Sequence, residues 1–228
     1  MAKIKFGMMM TDARGKLGGQ VFSKNRAGAY IRTKVTPTNP QTSFQTLARV
    51  LFAAISQAWS GLTQSGRDAW NNAVSDWQKT DIFGDLKQPS GKALFQRLNN
   101  QAQAAGYAAV TAAPARLEMV EGVITAVALE AGVTEELTLS GPYGGADARV
   151  VVLGTGSLSQ GTSFVKNKLR QIYSPVANAY SASAAYAAYT AKFGVPSAGD
   201  NVYFGVKYVL PNGQASPVQI IKSVVTEP

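Results

Sequence analysis

The chain contains neither histidine nor cysteine, and these two gaps narrow function more than any residue it does hold. Without an imidazole there is no Ser-His-Asp triad and no histidine base. Without a thiol there is no thiolate nucleophile, no disulfide and no cysteine zinc site. Most hydrolase and metalloenzyme designs are thereby excluded; the expectation is a non-enzyme without a cofactor. The missing cysteine leaves the redox compartment open, because such a chain tolerates cytosol and exterior equally. Long hydrophobic runs are missing too: no stretch reaches the roughly 18 apolar residues of a membrane span, so no membrane contact is expected. The opening MAKIKFGMMM is basic, but its apolar run over residues 6–10 falls short of the roughly 7–15 residues of a signal-peptide core. A protein made in the cytoplasm and not secreted is expected.

Acidic residues are scarce, with 13 Asp and Glu against 22 Lys and Arg and a net charge of +9. The imbalance is local. Residues 1–110 hold fourteen basic residues against five aspartates, whereas residues 111–228 are neutral with eight of each sign. The first 34 residues are denser still, with Lys3, Lys5, Arg14, Lys16, Lys24, Arg26, Arg32 and Lys34 against Asp12 alone. Such asymmetry points to a basic arm that meets a polyanion or an acidic protein surface.

The chain divides into three parts by pattern. Residues 1–42 read as an extended basic arm: five glycines interrupt any helix, and Pro37, Asn39 and Pro40 close the segment in extended conformation. Within it Ala29, Ile31, Thr33 and Val35 alternate with Tyr30, Arg32 and Lys34, a strand with one basic, aromatic face. Residues 21–24 can pair with it across a turn at 25–28, giving a small hairpin on a flexible leader. Residues 43–113 read as a three-helix docking unit. Thr42 or Ser43 caps a helix with Leu47, Leu51, Ile55 and Trp59 in one stripe; Thr63 caps a second carrying Trp70 and Trp77; Ser90 caps a third through Leu94, Phe95 and Leu98 to Gly106. The first two are expected to run antiparallel, zipped by tryptophans. Residues 114–228 turn to strand periodicity at 137–140, 149–153, 202–210 and 218–225, with a hairpin turn at Pro211, Asn212 and Gly213. Short strands with Gly-rich turns point to a β-sandwich of immunoglobulin or fibronectin type III kind, crossed by one Ala- and Tyr-rich helix over 181–192. The fold class is α+β, multidomain.

Few motifs carry chemistry. Gly15 and Lys16 lack the spacing and the following hydroxyl of a phosphate loop, since Leu17 comes next. Ser163 and Lys166 match S-x-x-K but lie between strands, where a solvated loop is the better account. An enzyme reading needs converging carboxylates near Asp81, Asp85, Glu118 or Glu121; Asp81 and Asp85 flank Gly84 in a loop and are better read as terminating helices or meeting nearby lysines than as cation ligands. The adjacent Glu135 and Glu136 point to opposite faces of a strand. Trp59, Trp70 and Trp77 have the spacing of core residues rather than of a ligand cage. The arm is the partner-binding candidate, through Lys16, Phe22, Lys24, Arg26, Tyr30, Arg32 and Lys34. Those residues suit phosphate contacts with ring stacking, but also a hairpin that augments a neighbouring subunit's sheet, and the protein partner is favoured because eight basic residues over 34 is thin for a dedicated DNA binder.

The string Gly15, Lys16, Leu17, Gly18, Gly19, then Ser23, Lys24, Asn25, Tyr30, Arg32, Pro37, Asn39, Pro40, Gln41, Thr42, Gln45, Arg49, Trp59, Leu62, Thr63, Arg67, Ala69, Trp70 and Asn71 resembles structural proteins encoded by tailed bacteriophages and prophages. It covers roughly residues 15–77 and has no catalytic signature. The C-terminal part, with Lys192, Phe193 and Gly194, then Gly199 before the 202–210 strand, resembles Ig-like or fibronectin-like modules attached to such virion proteins. The resemblance implies a virion component, either capsid-associated (minor, auxiliary or decoration) or at the head-to-tail junction. Its implied partners are capsid or connector subunits, in a homo-oligomer or many copies. The alternative is a genome-packaging protein whose arm contacts DNA.

Overall fold

The structure is a computed structural model that describes residues 2–26, 28–119, 124–130, 135–140, 148–175 and 179–226. The order of its elements follows from three shifts of pattern along the chain: basic alternation, helical stripes, then apolar strands. Four short strands come first, β1 (Ala2–Lys3), β2 (Gly15–Leu17), β3 (Gln20–Asn25) and β4 (Gly28–Thr33), paired antiparallel in the order β1-β4-β3-β2. The expected hairpin is β3–β4, with Asn25 opposite Gly28; Gly28 has a φ of 106°, which a residue with a Cβ rarely adopts. The expected flexible leader is different. Its two ends pair as edge strands, so the arm is a small four-stranded sheet.

Three helices follow, α1 (Ser43–Gly61), α2 (Gln64–Asn72) and α3 (Gly91–Ala104). Each starts where a hydroxyl accepts an orphan N–H: Thr42 from Gln45, Thr63 from Gly66 and Ser90 from Ala93. A 3-10 turn, Ala73–Trp77, extends α2, and β5 (Lys79–Thr80) pairs with β6 (Leu86–Lys87) before α3. The tryptophans do not zip α1 to α2 directly. Both helices pack on α3, and Trp59 and Trp70 meet the Phe95 ring from two sides, at centroid distances of 5.5 and 5.2 Å. Trp70, Leu94, Phe95 and Leu98 are buried, with Ile55 from α1 beside them. Buried polar atoms tie the chain that leaves α3 back onto the core: Asn99 donates to the Phe95 and Val110 carbonyls and accepts from the Val110 N–H, while the Trp70 indole donates to the Thr111 carbonyl. Each bond satisfies a group that would otherwise be costly to bury.

The C-terminal part holds β7 (Ala126–Leu129), β8 (Leu137–Ser140), β9 (Arg149–Gly154), β10 (Arg170–Tyr173), α4 (Ala182–Phe193), β11 (Asn201–Val209) and β12 (Gln219–Val224). Strands β9 to β12 form one antiparallel-paired sheet in the order β10-β9-β11-β12, and β7 and β8 make a separate two-stranded ribbon. Helix α4 connects β10 to β11 and lies against β10 and β8, and Ser181 caps it by accepting from the Ala184 N–H. One face of the sheet, with Val150, Val152, Val202, Phe204 and Val206, packs on α4 and on the ribbon residues Leu129, Leu137 and Leu139. The other face, with Val151 and Val209, packs on Ala105, Tyr107 and Ala215. Burial on both faces explains why β9 reads RVVVLG without polar alternation. The chain is thus a mixed α+β protein with several antiparallel sheets. In its C-terminal part a four-stranded sheet faces a layer made of a ribbon and a helix.

The helical and C-terminal parts are fastened to each other. Arg149 donates to the Ala105 carbonyl at the end of α3, where a cation favours the exposed carbonyls, and lies over the Tyr107 ring. The Gln214 amide both accepts from the Leu117 N–H and donates to the Leu117 carbonyl. Gly213, at a φ of 79°, brings the β11–β12 turn so near α3 that an added Cβ would collide with the Leu98 carbonyl. The Trp70→Ala variant should lose about 3–5 kcal/mol of stability, as a fully buried aromatic does, with Trp59→Ala losing less because its ring is half-buried. Urea unfolding of both variants checks the order; an equal or larger loss at Trp59 would contradict this packing.

Candidate assembly interface

Strand pairing sets the two faces of the N-terminal sheet, because residues directly opposite each other share a face. Lys16, Val21 and Arg32 form one row across β2, β3 and β4, and Lys3, Tyr30 and Ser23 form the next on the same side. The other side carries Gly15, Phe22, Ile31 and Ala2 in one row, with Leu17, Gln20 and Thr33 beside it and Lys24 opposite Ala29. Lys16, Tyr30 and Arg32 therefore come together. Phe22 and Lys24 are on the opposite, more apolar side, Arg26 is in the turn and Lys34 lies beyond β4. Among the described residues of this sheet none is buried, and Leu17 is 71% exposed.

Two ion pairs attach the sheet to the body. Lys3 Nζ lies 3.2 Å from Asp81 and Lys5 Nζ 3.0 Å from Asp85, with the Lys5 ammonium also over the Phe83 ring. Both aspartates belong to the loop joining β5 and β6, so the two carboxylates meet lysines. Lys87 is a further neighbour of Asp85 at 3.9 Å. Asp81 is only 5% exposed, and its second oxygen accepts from the Phe83 and Asp85 N–H groups. Burial is the largest influence on its carboxyl and acts upward; the Phe83 N–H, the Lys3 ammonium and the Asp85 N–H act downward and together prevail. Asp81 is thereby held below its ordinary value. Glu118 borders a different, shallow cleft beside Met119 and Ser216, and Glu121 lies outside the described residues. Ser163 and Lys166 sit in irregular chain between β9 and β10, not on a helix.

Helix α1 departs most from its expected role. Of the stripe Leu47, Leu51, Ile55 and Trp59, only Ile55 is buried; Leu47 is 58% exposed, and Phe44, 72% exposed, begins the same face. Val50 and Phe52 are exposed as well, so the first half of α1 is apolar on more than one side. That pattern was visible in the run Phe44, Leu47, Val50, Leu51, Phe52, which is wider than one helical stripe and signals a helix enclosed on several sides. Arg49 is the only charged residue in α1. Near its start a groove of about 740 Å³ separates Phe44 from Ile172, Ala188 and Phe193 of the C-terminal part, with Lys192 over the Phe44 ring at 5.7 Å.

The described surface of residues 2–54 thus combines basic side chains on one sheet face, apolar side chains on the other, and an apolar helix with little to cover it. Among the described residues, no three Asp or Glu side chains gather where a metal ion could be held, and no helix is long and apolar enough to cross a membrane. No protein-family model, no curated protein and no solved structure matches the chain.

The Lys3–Asp81 contact makes a pH-dependent contribution whose sign is fixed. Because the carboxyl is lower in the folded chain than in the unfolded one, the contribution is complete above the ordinary value of 3.8 and fades as pH falls through the lowered one. Side-chain carboxyl NMR should find Asp81 titrating below that value and moving upward in Lys3→Ala. Titration at or above the ordinary value in the unaltered chain would contradict the arrangement.

Proposed function

We propose that this chain is a structural protein of a tailed-bacteriophage particle, capsid-associated or at the head-to-tail junction, acting by assembly through its N-terminal sheet and first helix. The observation that carries the reading is that no described residue before Ile55 is buried, although this stretch holds Leu17, Phe22, Ile31, Val35, Phe44, Leu47, Val50, Leu51 and Phe52. A sheet and a helix of that composition stay ordered when a neighbouring subunit covers them.

The partner that fits is another virion subunit with an apolar groove for α1 and an acidic rim for Lys16, Arg32 and Lys34. The C-terminal part, which we read as an Ig-like module with α4 in its second layer, projects from the particle or cements neighbours, as a neutral unit with its own core is suited to do. The shared face of Lys16, Tyr30 and Arg32 supports a second reading, contact with genome phosphates. Salt separates the two: DNA affinity would fall steeply with ionic strength, whereas docking to the particle occurs without DNA.

Deleting residues 1–42 should leave a folded chain that no longer enters particles. The double variant Phe44→Ser, Leu47→Asp should do the same while lowering stability by no more than about 1 kcal/mol, since both side chains are exposed in the free chain and Phe44 gives up only its contact with Lys192. Incorporation of either variant at the normal level, measured on purified particles, would reject the proposal.

A further inference from the structure

A second site lies at the junction of the helical and C-terminal parts. There Trp77, Lys79 of β5, Arg97 and Gln101 of α3, and Arg116 line a cleft of about 150 Å³ whose far wall is the turn at Gly213 and Gln214. No Asp or Glu lines it, and none of the three cations has an ion-pair partner among the described residues. Arg97 stacks over the Trp77 ring at 5.3 Å, and Arg116 donates to the Asp76 carbonyl at 3.2 Å. The wall itself is rigid, because Gln214 spends both ends of its amide on Leu117.

Like charges held together in a partly dehydrated recess destabilise one another. Burial lowers the Lys79 ammonium, with Arg97 and Arg116 lowering it further, and burial followed by Arg116 lowers Arg97. An anion relieves this crowding. We propose that the cleft binds one phosphate group, as the free ion or as the terminal phosphate of an oligonucleotide. Three cations call for more than a single negative charge, which a phosphate dianion supplies and a carboxylate does not. A recess of this size admits one oxyanion and not a duplex. None of these residues belongs to the N-terminal sheet or to α1, so the site stands whether or not the assembly reading holds.

Calorimetric titration with inorganic phosphate at constant ionic strength, against acetate and chloride, tests it in the full-length chain. Saturable one-to-one binding of phosphate is expected, at least tenfold weaker in Lys79→Gln and in Arg116→Gln. Lys79 makes no side-chain hydrogen bond or ion pair among the described residues, so Lys79→Gln should melt no lower than the unaltered chain in the absence of phosphate. A residue kept for structure alone would give the reverse. Displacement of bound phosphate by a 5′-phosphorylated single strand, but not by its unphosphorylated twin, assigns the site to a nucleic-acid end; displacement by neither assigns it to the free ion. Absence of saturable phosphate binding, equal affinity in both variants, or displacement by both strands would overturn the proposal.

Discussion

The constraint on which the rest of this molecule depends is the position of its first buried side chain. Ile55 holds that place, twelve residues into α1, and every described residue before it is exposed or half-buried. Hydrophobic burial is the main favourable term in folding and is proportional to the apolar area removed from water. The N-terminal sheet and the first half of α1 gain little of it. They are held by ladder hydrogen bonds, by the Lys3 and Lys5 ion pairs and by the Thr42 cap, each of which contributes modestly in water. The first quarter of the chain is therefore shaped locally but not stabilised globally.

The opposite holds from Trp70 onward. Phe95 receives two tryptophans, Asn99 pins the chain leaving α3, and the β9–β11 pair is covered by α4 and the ribbon on one face and by Ala105 and Tyr107 on the other. This body is a rigid platform, joined across its middle by Arg149 and Gln214. The arrangement accounts for both proposed activities. The uncovered front is suited to a large protein contact, while the seam between the two packed parts is stiff enough to hold three cations around a small recess.

How much of this was legible in the sequence depended on whether the signal was local. The three helix caps, the β3–β4 hairpin, the Ser181 helix and the turn at Asn212 and Gly213 were readable, because capping and turn chemistry act over a few residues. So was the reading of Trp70 as core; Asp81 and Asp85 read either as helix ends or as partners of nearby lysines, and only the fold pairs them with the distant Lys3 and Lys5. The edge strands β1 and β2 were not, since a strand of two or three residues has no period of its own and exists only through its neighbour's ladder. The α1 stripe was misleading for a related reason: periodicity shows that Leu47 and Leu51 want covering, but not whether this chain does the covering. Phe22 and Lys24 were grouped with Tyr30 and Arg32 by composition, whereas cross-strand register puts them on opposite sides. The cleft of Lys79, Arg97 and Arg116 joins positions 37 residues apart, which no local pattern reveals.

The central claim, that the front of the chain has no core of its own, is tested most directly by amide hydrogen exchange on the free full-length protein. Exchange reports local stability, from near zero in frayed segments to the global value in a packed core. The account predicts fast exchange for the amides of β2, β3, β4 and residues 43–52 of α1, and slow exchange for β9, β11 and α3. Protection of β3 and β4 equal to that of β9 in the isolated chain would contradict it.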